Sequence, residues 1–249
     1  MDNANICAIG VMAKAPRAGR SKTRLCPPLQ PEQAAALSTA FLRDISENIA
    51  AAARDAPIRG LVAYAPAGSA GLFDGHLAPG TDFLLADGQI EVPSGVTGFG
   101  RCLLHAIQGM LAAGYGAACV LNSDSPTLPT AFLARAARIL LAEGGRIVLG
   151  PAEDGGYYLL GMKALHARLF ANIAWSTDTV AEATRSRAKA LGLEVVELPL
   201  WYDVDDPASL DRLAGELTEP PAGRYQASAT GAALRQMGWI ADPLRRAAE

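Results

Sequence analysis

Short runs of β-prone apolar residues alternate along this chain with longer runs rich in Ala and Leu, and that alternation admits few folds. A strand followed by a helix and then another strand usually returns to the same sheet in parallel, so the pattern predicts an α/β protein with a mainly parallel, twisted sheet and helices on both faces. The candidate strands are Ile6–Met12, Ile58–Tyr64, Asp82–Ala86, Ala117–Leu121, Arg146–Leu149, Tyr157–Leu160 and Glu194–Leu198. Helical stretches fall at about 31–54, 99–113, 130–143, 179–191 and 206–217. The runs ICAIGVM and ACVL are apolar throughout, as strands buried on both faces are. Pro31 followed by Glu32 suits a helix start, because proline needs no N–H there and the acid complements the dipole.

A chain of 249 residues accommodates one large α/β domain or two small ones and needs no disulfide or structural metal to bury a core. Composition shifts only after about residue 217, where TEPPAGRYQASATG is rich in Pro, Gly and small polar residues. The expectation is therefore a domain over 1–217 and an appended tail over 218–249, either packed as a helix or mobile. A net charge of −3 provides no global positive field, which argues against nucleic acid as a partner and requires any phosphate chemistry to come from a local cation cluster. Cys7, Cys26, Cys102 and Cys119 show neither a C-x-x-C pair nor a nearby His to complete a zinc pattern, and read as reduced thiols. Asp2 precedes the first apolar run and cations follow it, the reverse of a secretory signal, and no apolar stretch approaches membrane-spanning length. Those features predict a cytoplasmic protein that does not engage a membrane.

The local cation cluster follows the first strand. AKAPRAGRSKTRL, residues 13–25, carries Lys14, Arg17, Arg20, Lys22 and Arg24, five of the 22 Lys and Arg in the chain. In a doubly wound sheet this loop borders the crevice where ligands bind, and its cations would offset the charge of a nucleoside di- or triphosphate. The alternative is a solvated basic loop. It is not a Walker A loop, because Gly19 lies only three residues before Lys22, and TGFGRC lacks the third glycine of a dinucleotide fingerprint.

Three acidic segments follow later strands. Asp124, in LNSDSPTLP, should emerge at the carboxyl end of its strand, on the edge shared with the basic loop, although Asp and Ser before Pro also make turns. In GPAEDGGYYLLG, Asp154 comes one strand-helix-strand unit beyond Asp124, and Gly155-Gly156 permits either close approach to a ligand or a hairpin turn. In LWYDVDDPASL, Asp205 or Asp206 caps the helix begun by Pro207, leaving Asp203 and one neighbour free. Carboxylates suit magnesium or manganese, and the scattered His76, His105 and His166 argue against zinc or an imidazole triad.

The motifs AKAPRAGRSKTRL, NSDSPTLP, GPAEDGGYYLLG, IAWST and WYDVDDPASL occur in an order that resembles the GT-A-like family of small bacterial proteins described as glycosyltransferases or nucleotide-diphospho-sugar transferases, several of them associated with radical-SAM enzymes. The first motif is also similar to that of phospholactate-type guanylyltransferases. The resemblance covers about residues 5–215 and implies a Rossmann-like GT-A fold. It implies phosphate contacts from Lys14, Lys22 and Arg24, with Arg17 in the same loop, and metal positions at Asp124 and Asp154. It further implies an acceptor side shaped by Trp175, Ser176 and Thr177. The chain departs from the family at TGFGRCL, where Cys102 stands in place of an arginine.

From these residues the predicted activity is magnesium-dependent (or manganese-dependent) transfer from a nucleotide-activated small-molecule donor to a small-molecule acceptor. Asp124 with Asp154 or Asp205 would hold the metal, Gly155 would approach the ligand, and Asp124 and Lys22 would be the central catalytic groups. Resemblance favours a nucleotide-diphospho-sugar donor. Five loop cations suit a triphosphate and thus a nucleotidyltransferase releasing pyrophosphate, and the altered TGFGRCL segment keeps open a nucleotide-binding module without turnover.

Overall fold

A computed structural model describes residues 3–241; Met1, Asp2 and residues 242–249, with the RRAAE end, lie outside the described residues. The elements are β1 (Cys7–Lys14), α1 (Pro31–Ala52), β2 (Ile58–Ala65), β3 (Asp82–Leu85), α2 (Phe99–Ala112), β4 (Ala117–Leu121), α3 (Thr130–Leu141), β5 (Arg146–Pro151), β6 (Tyr157–Met162), α4 (Val180–Ala190), β7 (Glu194–Glu197), α5 (Pro207–Thr218) and α6 (Ser228–Gln236). Each strand and helix anticipated from the sequence is present with its ends within two residues, and α6 is additional.

All seven strands form one sheet in the order β3-β2-β1-β4-β6-β5-β7. Neighbours pair in parallel except at β6, which runs antiparallel to both β4 and β5. The reversal has a local cause. Only a tight turn separates β5 from β6, and a short connection makes a hairpin whereas a parallel return needs a long crossover.

Side chains alternate across the sheet with a period of two. Cys7, Ile9 and Val11 of β1 face the layer built from α1, α3, α5 and α6, against Leu37, Phe41 and Ile45. Ala8, with Ile147 and Leu149 of β5, faces the layer of α2 and α4, against Leu104, Ile107 and Met110. All four cysteines are free thiols, with Cys7 and Cys119 buried.

Helix α6 docks on α1 through a buried carboxylate. Asp44, fully buried in α1, accepts hydrogen bonds from the Ala229 N–H (2.9 Å) and the Thr230 N–H (2.6 Å) in the first turn of α6. The α6 N-cap position is Ala227, whose side chain cannot cap, so the acid supplies from another helix what the local sequence lacks and also meets the positive end of the dipole. Burial pushes the Asp44 pKa up, and its hydrogen bonds from Thr230 and Ala229 oppose that shift. Leu234 and Ile240 complete the contact by joining the core.

Asp44→Ala would strand the buried Thr230 N–H and the partly buried Ala229 N–H, a loss of about 1.5–3 kcal/mol for hydrogen bonds to a charged group. The urea midpoint should fall accordingly, with protease cleavage at Glu219–Ala227 preceding global unfolding. Asp44→Asn, which keeps one acceptor oxygen, should lose less.

Candidate functional site

The chain leaves β1 to build β2 and β3 on one side, and β4 begins the other side, so the sheet reverses its winding between β1 and β4. Crevices at such switch points, outside the carboxyl ends of the strands, are where open α/β sheets bind ligands. A cavity of about 480 Å³ opens here, and Lys14, Lys22, Arg24, Asp124 and Asp205 all line it. Cations from the first loop thus face the same space as aspartates from distant segments.

Lys22 is the pivot. Its backbone is left-handed (φ 50°, ψ 40°), a conformation that costs a non-glycine residue on the order of 1 kcal/mol, and the next turn, Thr23–Leu25, is anchored by the fully buried Leu25. The side chain is therefore directed inward and is only 7% exposed. Its ammonium lies 2.6 Å from Asp124 Oδ1 and donates to Asp205 Oδ1 at 2.9 Å and to the Val204 carbonyl at 2.7 Å. Three oxygens meet the three donors an ammonium has. Burial alone would lower the Lys22 pKa, but the charges of Asp124 and Asp205 outweigh it and the pKa is raised, so the ammonium stays charged. Arg24, 73% exposed, donates to the other oxygen of Asp205.

The acidic segment after β7 divides its labour. Asp206 caps α5, accepting the Ser209 N–H at 2.8 Å, which frees Asp205 for Lys22 and Arg24. The Val204 N–H donates to the Asp124 carbonyl at 2.9 Å, fastening this segment to the end of β4. Beneath them Asp203 Oδ1 accepts Asn122 Nδ2 at 2.6 Å and Ser125 Oγ at 2.8 Å. Burial, followed by the charge of Asp124, pushes the Asp203 carboxyl up to about 7.

Other residues singled out in the sequence sit differently. Arg17 lies in an exposed turn, its carbonyl accepting the Arg20 and Ser21 N–H groups, and it does not line the cavity. Asp154 is also outside the lining; its Oδ1 accepts the Gly156 N–H at 2.8 Å and shapes the β5–β6 turn. Gly155 adopts φ 86° where a Cβ would strike the Asp178 carbonyl, and its own carbonyl accepts the Ala181 N–H, so its freedom seats α4 on the hairpin. Trp175, Ser176 and Thr177 form a turn outside the lining, in which Thr177 Oγ1 donates to the Ala174 carbonyl at 2.7 Å. Trp175 reaches the cavity only through Phe99, whose ring centroid is 5.9 Å away.

Phe99, Cys102 and Ser38 line the cavity without having been singled out as site residues. The signal for the first two was available: α2 begins just after β3, so its first turn must lie near the carboxyl edge of the sheet. Arg20 lines it as well. Lys22 and Arg24 neutralise Asp124 and Asp205, whereas neither Lys14 nor Arg20 has a carboxylate partner among the described residues. The cavity therefore retains two uncompensated cations. Among the described residues no group of three or more His, Cys, Asp and Glu is arranged to hold a metal unaided.

The raised Asp203 pKa has a definite sign. The folded state holds that proton more tightly than the unfolded chain, so stability from this group falls as pH rises from about 4 through about 7. Asp203→Asn keeps the Oδ1 acceptor used by Asn122 and Ser125, and should melt at a higher temperature than the parent at pH 8 but not at pH 4, with chelator present in both. Equal melting at pH 8 would show that the buried carboxylate is not under strain.

No curated protein matches the chain. A crystal structure from Desulfovibrio desulfuricans G20, described as a “putative nucleotide-diphospho-sugar transferase”, superposes with a TM-score of 0.79 at 27% identity, covering 95% of this chain and 99% of that one. The CMP:2-keto-3-deoxy-manno-octonic acid synthetase complexed with CTP superposes with a TM-score of 0.52 at 12% identity, covering 87% of this chain and 100% of that one, a likeness of fold alone. The fold is the Rossmann-like GT-A architecture. Residues 48–177, just over half the chain and including Asp124, Asp154 and Trp175 but neither Lys22 nor Asp205, match the family described as “Uncharacterized protein conserved in bacteria (DUF2064)”, and the chain belongs to that family.

Proposed function

We propose that this protein is a transferase acting on a nucleotide-activated donor, specifically a nucleotide-diphospho-sugar transferase. The observation that carries the reading is the pair of uncompensated cations, Lys14 and Arg20, facing a switch-point cavity beside a neutral Lys22–Asp124–Asp205–Arg24 quartet. The likeness at 27% identity over nearly the whole of both chains supports it.

In this reading Lys14 and Arg20 bind the diphosphate, Arg20 through forked donors and Lys14 as a compact charge. Their positive charges stabilise the negative charge that grows on the departing diphosphate. Lys22 has a different part. With its donors directed at Asp124, Asp205 and Val204, it holds the two carboxylates in position rather than reaching the ligand.

The donor set fits magnesium or manganese. Hard oxygens are what these ions take, and magnesium is usually held by one or two carboxylates together with substrate phosphates rather than by an all-protein cage. Asp124, 31% exposed, is the more open carboxylate, and Asp205 the second that lines the cavity. Bound there, the ion would supply Lewis-acid stabilisation of phosphate charge. Lys22 and Arg24 already neutralise the pair, so the protein alone attracts a divalent cation weakly and would take it up with the nucleotide.

A nucleotidyl transfer reading drew on five loop cations. Two of these are held by carboxylates and Arg17 lies away from the cavity, which leaves a complement suited to a diphosphate.

Thermal unfolding with UDP-sugars, GDP-sugars, GTP or CTP and magnesium tests the donor class; a ligand at 100 times its Kd adds about 2.7 kcal/mol. A nucleotide sugar should stabilise most, and hydrolysis or transfer of its sugar separates an enzyme from a binding module. Lys14→Ala and Arg20→Ala should each weaken nucleotide binding with little change in intrinsic stability. Lys22→Met should instead cost stability, up to about 3 kcal/mol, by leaving Asp124 without a cation and Asp205 with Arg24 alone. Asp124→Asn should abolish the dependence of nucleotide binding on magnesium, and undiminished metal sensitivity in that variant would sink the metal assignment.

A further inference from the structure

Strand order sorts the cavity lining by chemistry. On one side of β1 lie the ends of β2 and β3, which contribute Ala63, Ala65 and Ala86, with Phe99 from the helix that follows; on the other side lies β4, which leads to Asp124. The β1 loop with its cations is between them. The alanines end in methyl groups, and the Cys102 thiol nearby is kept protonated because burial raises its pKa. The β2–β3 side of the cavity is thus lined by small apolar side chains, with Lys14, in register with Ala65 and close enough to Cys102 to oppose its raised pKa, at their border.

Phe99 is the unusual member of the apolar end. Half of its surface is exposed, and it lines the cavity, so a bound ligand can reach the ring. Its position is nevertheless tightly specified. The ring stands at 84° to Trp175 with centroids 5.9 Å apart, an edge-to-face geometry favoured by the ring quadrupoles. Trp175 in turn lies over Gly100, where a Cβ would be 2.8 Å from the indole. A glycine that admits an indole, and an indole that braces a half-exposed phenyl ring at a cavity mouth, describe a preset aromatic platform.

We infer that Phe99 is the stacking platform for the nucleobase of the donor, with the base lying in the apolar end between Phe99 and the alanines while the diphosphate reaches Lys14 and Arg20. This rests on the nucleotide-donor reading above and adds a nucleobase-binding residue to it. A flat aromatic ring tethered to a diphosphate matches both ends of the lining at once, and stacking accepts any base because every base has a π-face.

Calorimetric titration of the full-length protein with UDP, GDP and pyrophosphate, all with magnesium, tests it. Phe99→Ala should weaken UDP and GDP by roughly 10-fold or more, within the range for losing one base–aromatic stack, and leave pyrophosphate within about twofold of the parent. Phe99→Tyr and Phe99→Trp should restore nucleotide affinity, while Phe99→Leu, which keeps apolar bulk without a π-face, should resemble Phe99→Ala. Unchanged UDP and GDP affinity in Phe99→Ala, or equal weakening of pyrophosphate, would overturn the assignment even though the parent binds nucleotide. A parent protein that binds none of the three ligands would overturn the donor reading and this inference together. Because Phe99 is half exposed, every variant should keep a cooperative urea transition, with at most a modest fall in midpoint where the contact with Trp175 is lost, which separates a binding effect from misfolding.

Discussion

The candidate site depends on one buried ammonium. Lys22 connects a loop near the start of the chain to Asp124 after β4 and to Val204 and Asp205 after β7. Without a cation between them, the two carboxylates would repel each other in a partly desolvated pocket. With it, three segments remote in sequence share one electrostatic minimum, and the left-handed backbone at Lys22 is tolerated because that minimum compensates for it. The same arrangement explains why the lysine most conspicuous in the sequence is the least available to a ligand.

Around that centre the local chemistry is consistent. Asp206 takes the helix-capping duty, which leaves Asp205 free for the cations; Asn122 and Ser125 carry Asp203 below the site; and the Val204 N–H fastens the last loop to β4. Polar groups buried here are satisfied by near neighbours, as a preorganised site requires. The glycine pair after β5 serves the fold in the same way, since Gly155 admits the Asp178 backbone and Asp154 closes its own turn.

Much of the architecture was legible in the sequence because secondary-structure period and burial are written locally. A run such as ACVL has no polar position to turn outward, as an interior strand requires, and Pro31-Glu32 marks a helix start within its own few residues. The tail was less legible. A Pro- and Gly-rich stretch announces a change of structure, but the helix beyond it is held by Asp44, an acid nearly two hundred residues earlier whose partner no local pattern reveals. Phe99 was also missed: a single aromatic in a glycine-rich segment carries no periodicity, and only its place at the start of the helix after β3 points to the carboxyl edge of the sheet.

The sequence by itself determined the alternating elements, the cation-rich loop after the first strand and the acids after later ones, since each follows from residue type and spacing within about a dozen positions. Only the tertiary structure decided which of these groups meet. It turned Lys22 inward onto Asp124 and Asp205, paired the exposed Arg24 with Asp205, left Lys14 and Arg20 without a carboxylate partner in the cavity, and kept Arg17 and Asp154 out of it. Sorting equivalent charges into paired and unpaired depends on distances between segments far apart in the chain, and the strand order and loop geometry set those distances.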